Sequence, residues 1–486
     1  MSARIAVRAA SLLALALLAA APLRAQADRS HPPKPAAVKP LKLPPVERLK
    51  LSNGIGVALV GMHEVPVVEV ILVLRAGAVT DPAGREGLAA MTADMLDEGA
   101  GGKDALALAD AIDFLGATLG AGSGWDASTV RLRVPVARLD DALPLMADVA
   151  LRPDFPEAEL QRLRKEALTD LLQARDEPGA IAARALSQAV FGPAHRYGKP
   201  QAGDAAQIAS FSVADLRAFH AARYVPSAAT LVVVGDATAS VLPSLEKAFG
   251  SWKAASAATP VPPLPAPRQL AGRTIWLVDK KEAAQSSLRL GRVGPAWPDP
   301  AYAGNQVMNT LLGGSFTSRL NDNLREQHGY AYGARSGFRR NLTGGLFQVA
   351  TDVQTDKTGP AVGEVFKELE RILTPAAADE VERARNYAAL GYAGDFETTG
   401  QLAQRMVDAV VYGLADGFYE GFVPKALAVD AAALQQAARG AIDTKKLALV
   451  VVGDRAKVEA PLRALNLGEI KNLTVDEVMG KAPAIE

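Results

Sequence analysis

The spacing of apolar positions changes several times along the chain, and each change marks an element. "VVEVILVL", Val67–Leu74, is an apolar run of strand length, while "TVRLRV", Thr129–Val134, alternates and so has one wet face. "DFPEAELQRLRKEALTDLLQ" places Pro156 near a first turn and Leu160, Leu163, Ala167, Leu168 and Leu171 on one face, which predicts a helix. "GREGLAAMTADMLDEG", Gly84–Gly99, predicts a shorter one, with Leu88, Met91, Thr92 and Met95 turned inward and Gly99 as its stop. Its opposite stripe is Ala90, Ala93, Asp94 and Asp97, which offers little chemistry. Strands that pair without regular helical crossovers, with helices grouped between them, indicate an α+β fold.

The pattern is written twice. "LVVVGD" ends at Asp236 and again at Asp454, Asp81-Pro82 returns as Asp299-Pro300, and Leu59, Val60 and Glu64 return as Leu277, Val278 and Glu282. All three anchors lie 218 positions apart, so the chain is an internal duplication of a domain-sized unit. The units are expected over residues 47–253 and 273–470. A Pro/Ala-rich tether at 254–272 joins them, and a short tail covers 471–486. On this reading the two units fold separately and hinge at the tether. A second Pro-rich linker, residues 28–46, precedes the first unit.

Composition narrows the setting. The 486 residues carry 53 basic and 53 acidic side chains with no long run of either sign, which gives no footprint for a nucleic-acid partner. Arg4 and Arg8 precede an apolar block, Ala9–Ala21, and "AQA" at Ala25–Ala27 fits a small-x-small cleavage site. A mitochondrial presequence would interleave basic and apolar residues on one helix, whereas here they are separate. The expectation is therefore a signal peptide, residues 1–27, cleaved after Ala27, and a periplasmic or secreted protein with no membrane span once it is removed. The absence of cysteine excludes both disulfides and a lipidated cysteine anchor.

With these residues in view, the chain resembles the pitrilysin (insulinase) family of zinc peptidases across roughly Glu47–Leu467. The resemblance rests on the duplication, on "AGAVTDPAGREGLAAMTADMLDEG" in the first unit and on "LLGGSFTSRLNDNLREQHGYAY" in the second. It implies two homologous units forming half of a clamshell chamber. Catalytic members carry H-x-x-E-H on the first-unit helix, two histidines binding zinc and the glutamate activating water. Here the first His position is Ala90, the base is Ala93, the second His is Asp94, and the third ligand falls at Asp170. No other motif stands in, because no two of the five histidines are four apart. The expectation is an emptied site with no metal in this chain. Asp94 and Asp170 then read as ordinary helix carboxylates, solvated or paired with an arginine.

The second unit keeps more. "RLNDNLREQHGYAY" predicts a helix ending near His328, a left-handed cap at Gly329 and a strand after it, with "GGS" at Gly313–Ser315 as a flexible turn. In the family, the Arg and Tyr matching Arg325 and Tyr332 help hold substrate and steady the oxyanion. The plain alternative is an arginine suited to a helix C-terminus and a tyrosine packed in a strand. The resemblance thus implies the non-catalytic subunit of a heterodimeric peptidase acting on peptides or unfolded segments. Zinc is expected in an H-x-x-E-H-bearing homologous partner, and the subunit is inactive alone. Two other readings are a structural core-type or peptide-binding protein without peptidase role, and an active zinc peptidase with an atypical metal site.

Overall fold

The computed structural model describes residues 38–253 and 263–484. The expected signal peptide, most of the linker after it and residues 254–262 of the tether lie outside the described residues. Pro40–Glu486 forms one compact unit. Among the described residues no helix is long and apolar enough to cross a membrane.

The first half contributes strands β1 (Glu47–Lys50), β2 (Gly56–Gly61), β3 (Val67–Leu74), the short ribbon β4 (Gly99–Ala100) and β5 (Lys103–Asp104), β6 (Thr118–Ser123), β7 (Ser128–Pro135) and β8 (Ala229–Gly235). The second contributes β9 (Thr274–Asp279), β10 (Gln285–Gly294), β11 (Ala331–Arg340), β12 (Gly345–Gln354), β13 (Ala448–Gly453) and β14 (Ile470–Leu473). They build two six-stranded mixed sheets, ordered β1-β2-β8-β3-β7-β6 and β11-β12-β10-β13-β9-β14. The duplication survives in the register. Gly56 of β2 lies opposite Thr230 in a parallel pair, and Thr274 of β9 lies opposite Ala448, each residue displaced by the repeat offset. Only the outermost strand beside β2 and beside β9 differs: β1 is antiparallel and precedes its sheet in the chain, whereas β14 is parallel and follows it.

Sequence and structure agree closely at several elements. Val67–Leu74 is a strand as read, and the alternating run is β7, one residue longer at each end. Pro156 caps the Glu157–Ala174 helix, whose first turn is acidic and whose Leu160 and Leu168 are buried.

The hinge expectation is corrected. Each sheet needs cover on both faces, and each half covers only one with its own helices. In the first sheet Val68, Val70, Leu72 and Leu74 of β3 enter the first-half core with Leu231 and Val233 of β8. The reverse face of β3 and β8 is covered by the second-half helix Thr399–Tyr412. Gly400 of that helix rides directly over buried Glu69, which takes an ion pair from Arg131, and Arg131 also donates to Gln404 at 2.7 Å. The exchange is reciprocal. The first-half helix Pro178–Phe191 lies on β10 and β13, and Ile181, Ala185, Leu186 and Val190 share one core with Val278, Val293, Val450 and Val452. Leu186 sits against Gly291, where any larger residue would crowd it. A tether is therefore not the main connection between the halves.

Two outcomes follow from the exchange. A chain carrying an engineered protease site between residues 253 and 263 should stay one particle on gel filtration after cleavage. Leu186→Ala should lower stability by about 2–5 kcal/mol in denaturant unfolding, the cost of a core cavity. Separate elution of the cleaved halves would contradict this account.

Candidate functional site

The repeated Asp-Pro anchors are matched structural devices. Asp81 is buried, accepts the backbone N–H groups of Gly87 and Ala89 at 2.8 Å and pairs with Arg196 at 2.8 Å. Asp299 is equally buried, accepts the Ala301 N–H and the Asn305 side-chain amide at 3.0 Å and pairs with Arg340 at 3.0 Å. Each carboxylate fixes the start of the helix that follows, and buried charges of this kind persist only when paired and hydrogen-bonded. Gly87 is required at its own position: φ is +98°, and a Cβ would overlap the Ala202 carbonyl.

The first-half helix that starts there runs Leu88–Asp94, ending at a Met95 cap rather than at Gly99, which joins β4. Leu88, Met91, Thr92 and Met95 are buried as read. On the opposite stripe Ala90 is half-buried, Ala93 fully buried and Asp94 exposed. The wall around Asp94 still leaves its carboxyl poorly solvated. This burial, and then the charges of Asp97 and Glu98, push its pKa up to about 6. Glu98 is itself held by Arg162 at 2.5 Å. Asp170 is exposed on the Glu157–Ala174 helix. Zinc does not fit this donor set. Ala90 and Ala93 carry no ligand atom, and among the described residues no three His, Asp or Glu side chains converge on a point that could hold a metal ion.

In the second half the predicted helix through Arg325 is present with a different pitch. A single turn, Arg319–Asn321, widens into a π-helix over Asp322–Gln327, and the Tyr330 N–H reaches back to the Leu324 carbonyl at 2.8 Å. Leu320 and Leu324 are both buried, and their spacing of four suits the normal and the wider turn alike, so apolar period could not tell them apart. A second π-helical stretch covers Thr310–Gly314. Such turns recur at functional sites. Gly329 has φ +63° and β11 follows it, as read.

"GGS" is not a flexible turn. Gly313 is buried, a Cβ there would overlap the Ser336 backbone of β11, and Ser336 donates to the Asn309 side chain at 2.7 Å. Asn321 ties the site together: its amide donates to the Phe316 carbonyl at 2.7 Å, and its carbonyl accepts from Ala334 N–H at 3.2 Å. That contact falls where β11 slips register against β12, between Ala331 and Ala334, a bulge that re-aims side chains. Arg319 forks onto Glu380 at 2.9 and 2.6 Å, and Asn323 donates to Glu364 and Glu368 at 2.9 Å. On this braced frame Arg325 stacks over the Phe316 ring, 4.6 Å from its centroid, while Phe316 is 64% and Tyr332 89% exposed. Sequence reasoning singled out Arg325 and Tyr332 and passed over Asn321 and Phe316, which the structure places with them on this frame. Nothing in a polar helix position or a loop aromatic marks either as a partner of the strand or the arginine.

Residues 56–200 match the family described as "Insulinase (Peptidase family M16)", and residues 210–387 match "Peptidase M16 inactive domain". The chain belongs to peptidase family M16. It is 28% identical over 291 residues to an uncharacterized zinc protease of Bacillus subtilis, covering 60% of this chain and 69% of that one. An uncharacterized zinc protease of Rickettsia bellii is 24% identical, covering 69% of this chain and 80% of that one. Among solved structures, a peptidase M16 inactive domain from Pseudomonas fluorescens superposes with a TM-score of 0.75 at 27% identity, over 84% of this chain and 98% of that one. A protease from Helicobacter pylori shares the fold, with a TM-score of 0.79 at 20% identity, over 84% of this chain and all of that one. With a match to the inactive-domain model, and with Ala90 and Ala93 offering neither a metal ligand nor a base, this chain is a non-catalytic member of the family.

Gly313→Ala should destabilise the chain by about 1–3 kcal/mol in denaturant unfolding, because backbone rather than a movable side chain blocks the added methyl. A loss under about 0.5 kcal/mol would show that β11 yields there.

Proposed function

We propose that this chain is the non-catalytic subunit of a periplasmic heterodimeric zinc metallopeptidase, serving an H-x-x-E-H-bearing partner in trans. The observation that carries the reading is Tyr332, 89% exposed at the start of β11, the strand that follows the helix bearing a half-exposed Arg325. A tyrosine this exposed is poorly explained by strand packing, whereas an accessible phenol suits donation to a substrate. The partner's zinc supplies the activated water. On this chain Tyr332 donates its O–H to the peptide oxygen on which negative charge gathers, and Arg325 donates to substrate carbonyls. Substrates are peptides or unfolded segments, and the basic-then-apolar N-terminus supports export.

The purified chain alone should retain well under one zinc per molecule by elemental analysis and cleave no peptide. Stoichiometric zinc with chelator-sensitive hydrolysis would revive the atypical-site reading. In the reconstituted pair, Tyr332→Phe should lower kcat roughly a hundredfold or more, the usual cost of one oxyanion donor. KM should move by less than about threefold, since the bond is strongest in the transition state. A kcat within about twofold of wild type would favour the structural reading instead.

A further inference from the structure

The register of β11 against β12 decides which way Tyr332 faces. Ala331 lies opposite Val353 and Ala334 opposite Thr351. Val353 and Thr351 are buried, and residues directly opposite share a face, so Ala331 and Ala334 both belong to the buried side. Two residues, Tyr332 and Gly333, therefore stand against Asp352 alone. Without the extra residue Tyr332 would share the parity of Ala334 and Ser336, which are both buried. The bulge turns it to the other face instead, the face of Asp352, Arg335 and Ala350.

That face is only half covered. Over β10 the Pro178–Phe191 helix closes it, with Leu186 against Gly291. Over β11 it is open: Arg335 is exposed, and a Cβ added at Gly337 would meet nothing within 4 Å. The acid opposite the bulge is already answered, since Asp352 accepts from Ser287 at 2.6 Å and pairs with Arg289 at 3.3 Å. Arg335 has no acid of its own among the described residues. It follows Tyr332 by three positions, about 10 Å along an extended strand.

An extended peptide advances at the pitch of a strand. A side chain about three residues from the carbonyl held at Tyr332 then comes level with Arg335. A carboxylate there meets an unpaired guanidinium, whose forked N–H groups suit it. We infer that Arg335 is a specificity-determining residue, selecting peptides that carry Asp or Glu about three residues from the bond that is cut. The inference rests on the proposed role of Tyr332 beside the reacting carbonyl.

The reconstituted pair is given casein, an unfolded chain, and the bond it cuts is read by mass spectrometry. Short peptides spanning that bond then carry Glu, Gln or Lys at each flanking position in turn. With the substitution about three residues from the bond, the Glu peptide should show a kcat/KM at least about threefold above its Gln counterpart, mostly through KM. The ratio should fall toward one as salt is raised. Arg335→Glu should reverse the order and favour Lys over Glu, and Arg335→Lys should keep it. Tyr332→Phe should slow both peptides alike and leave the ratio in place. Equal rates for Glu and Gln at every position, or a Glu preference that survives Arg335→Glu, overturns this inference and leaves the subunit reading standing. A pair that cuts no casein overturns the subunit reading, and the inference falls with it.

Discussion

The structure depends on a reciprocal exchange of helices. A six-stranded sheet with two apolar faces must be covered twice, and each half has helices for one face. The Thr399–Tyr412 helix supplies the missing cover to the first sheet, and Pro178–Phe191 supplies it to the second. The second sheet's core mixes residues of both halves, and the reverse face of the first sheet is covered by a second-half helix. This explains how a long, cysteine-free chain is held as one compact unit from Pro40 onward. It also explains the glycines at the contact. Gly400 of the covering helix over Glu69, and Gly291 of β10 under Leu186, each let helix and sheet approach closely.

Because the halves are locked together, what differs between them can be read as divergence of one plan. Buried Asp81 and Asp299, each with its arginine, fix the two equivalent helices in the same way. On that shared base the first-half helix carries no metal donor at Ala90 or Ala93, with Ala93 buried and Asp94 among other carboxylates. The second half has invested in bracing: two π-helical stretches, the Arg319–Glu380 fork and the Asn321 clamp hold Arg325 and Tyr332 at the surface. The contrast is chemical as well as structural. The first-half helix offers no donor atom at Ala90 and Ala93, and the second half holds Arg325 and Tyr332 at its surface.

Much of this was legible in the sequence because it is local or repeated. The strands at Val67 and Thr129 follow from apolar period, and the three anchors at a common offset announce two equivalent sheets. That Ala90 and Ala93 offer no metal ligand was legible because alanine carries no donor atom under any fold. What was not legible depends on long-range placement. No period says that a helix will lie on the other half's sheet, so the tether read as a hinge. Gly313 read as flexible because its reason, the Ser336 backbone, lies on a later strand. The bulge that turns Tyr332 outward has no local sign either, because its extra residue is defined only against β12.

The central claim is that the Leu88–Asp94 helix is a metal site emptied by substitution on an intact frame. It is tested most directly by refilling it. The combined variant Ala90→His, Ala93→Glu, Asp94→His and Asp170→Glu should be measured for metal content by elemental analysis after dialysis. The account predicts one tightly held zinc per chain, released by a chelator, in a variant that keeps the wild-type far-UV circular dichroism. A folded variant that holds no zinc would contradict it, because the frame itself would then not be that of a metal site.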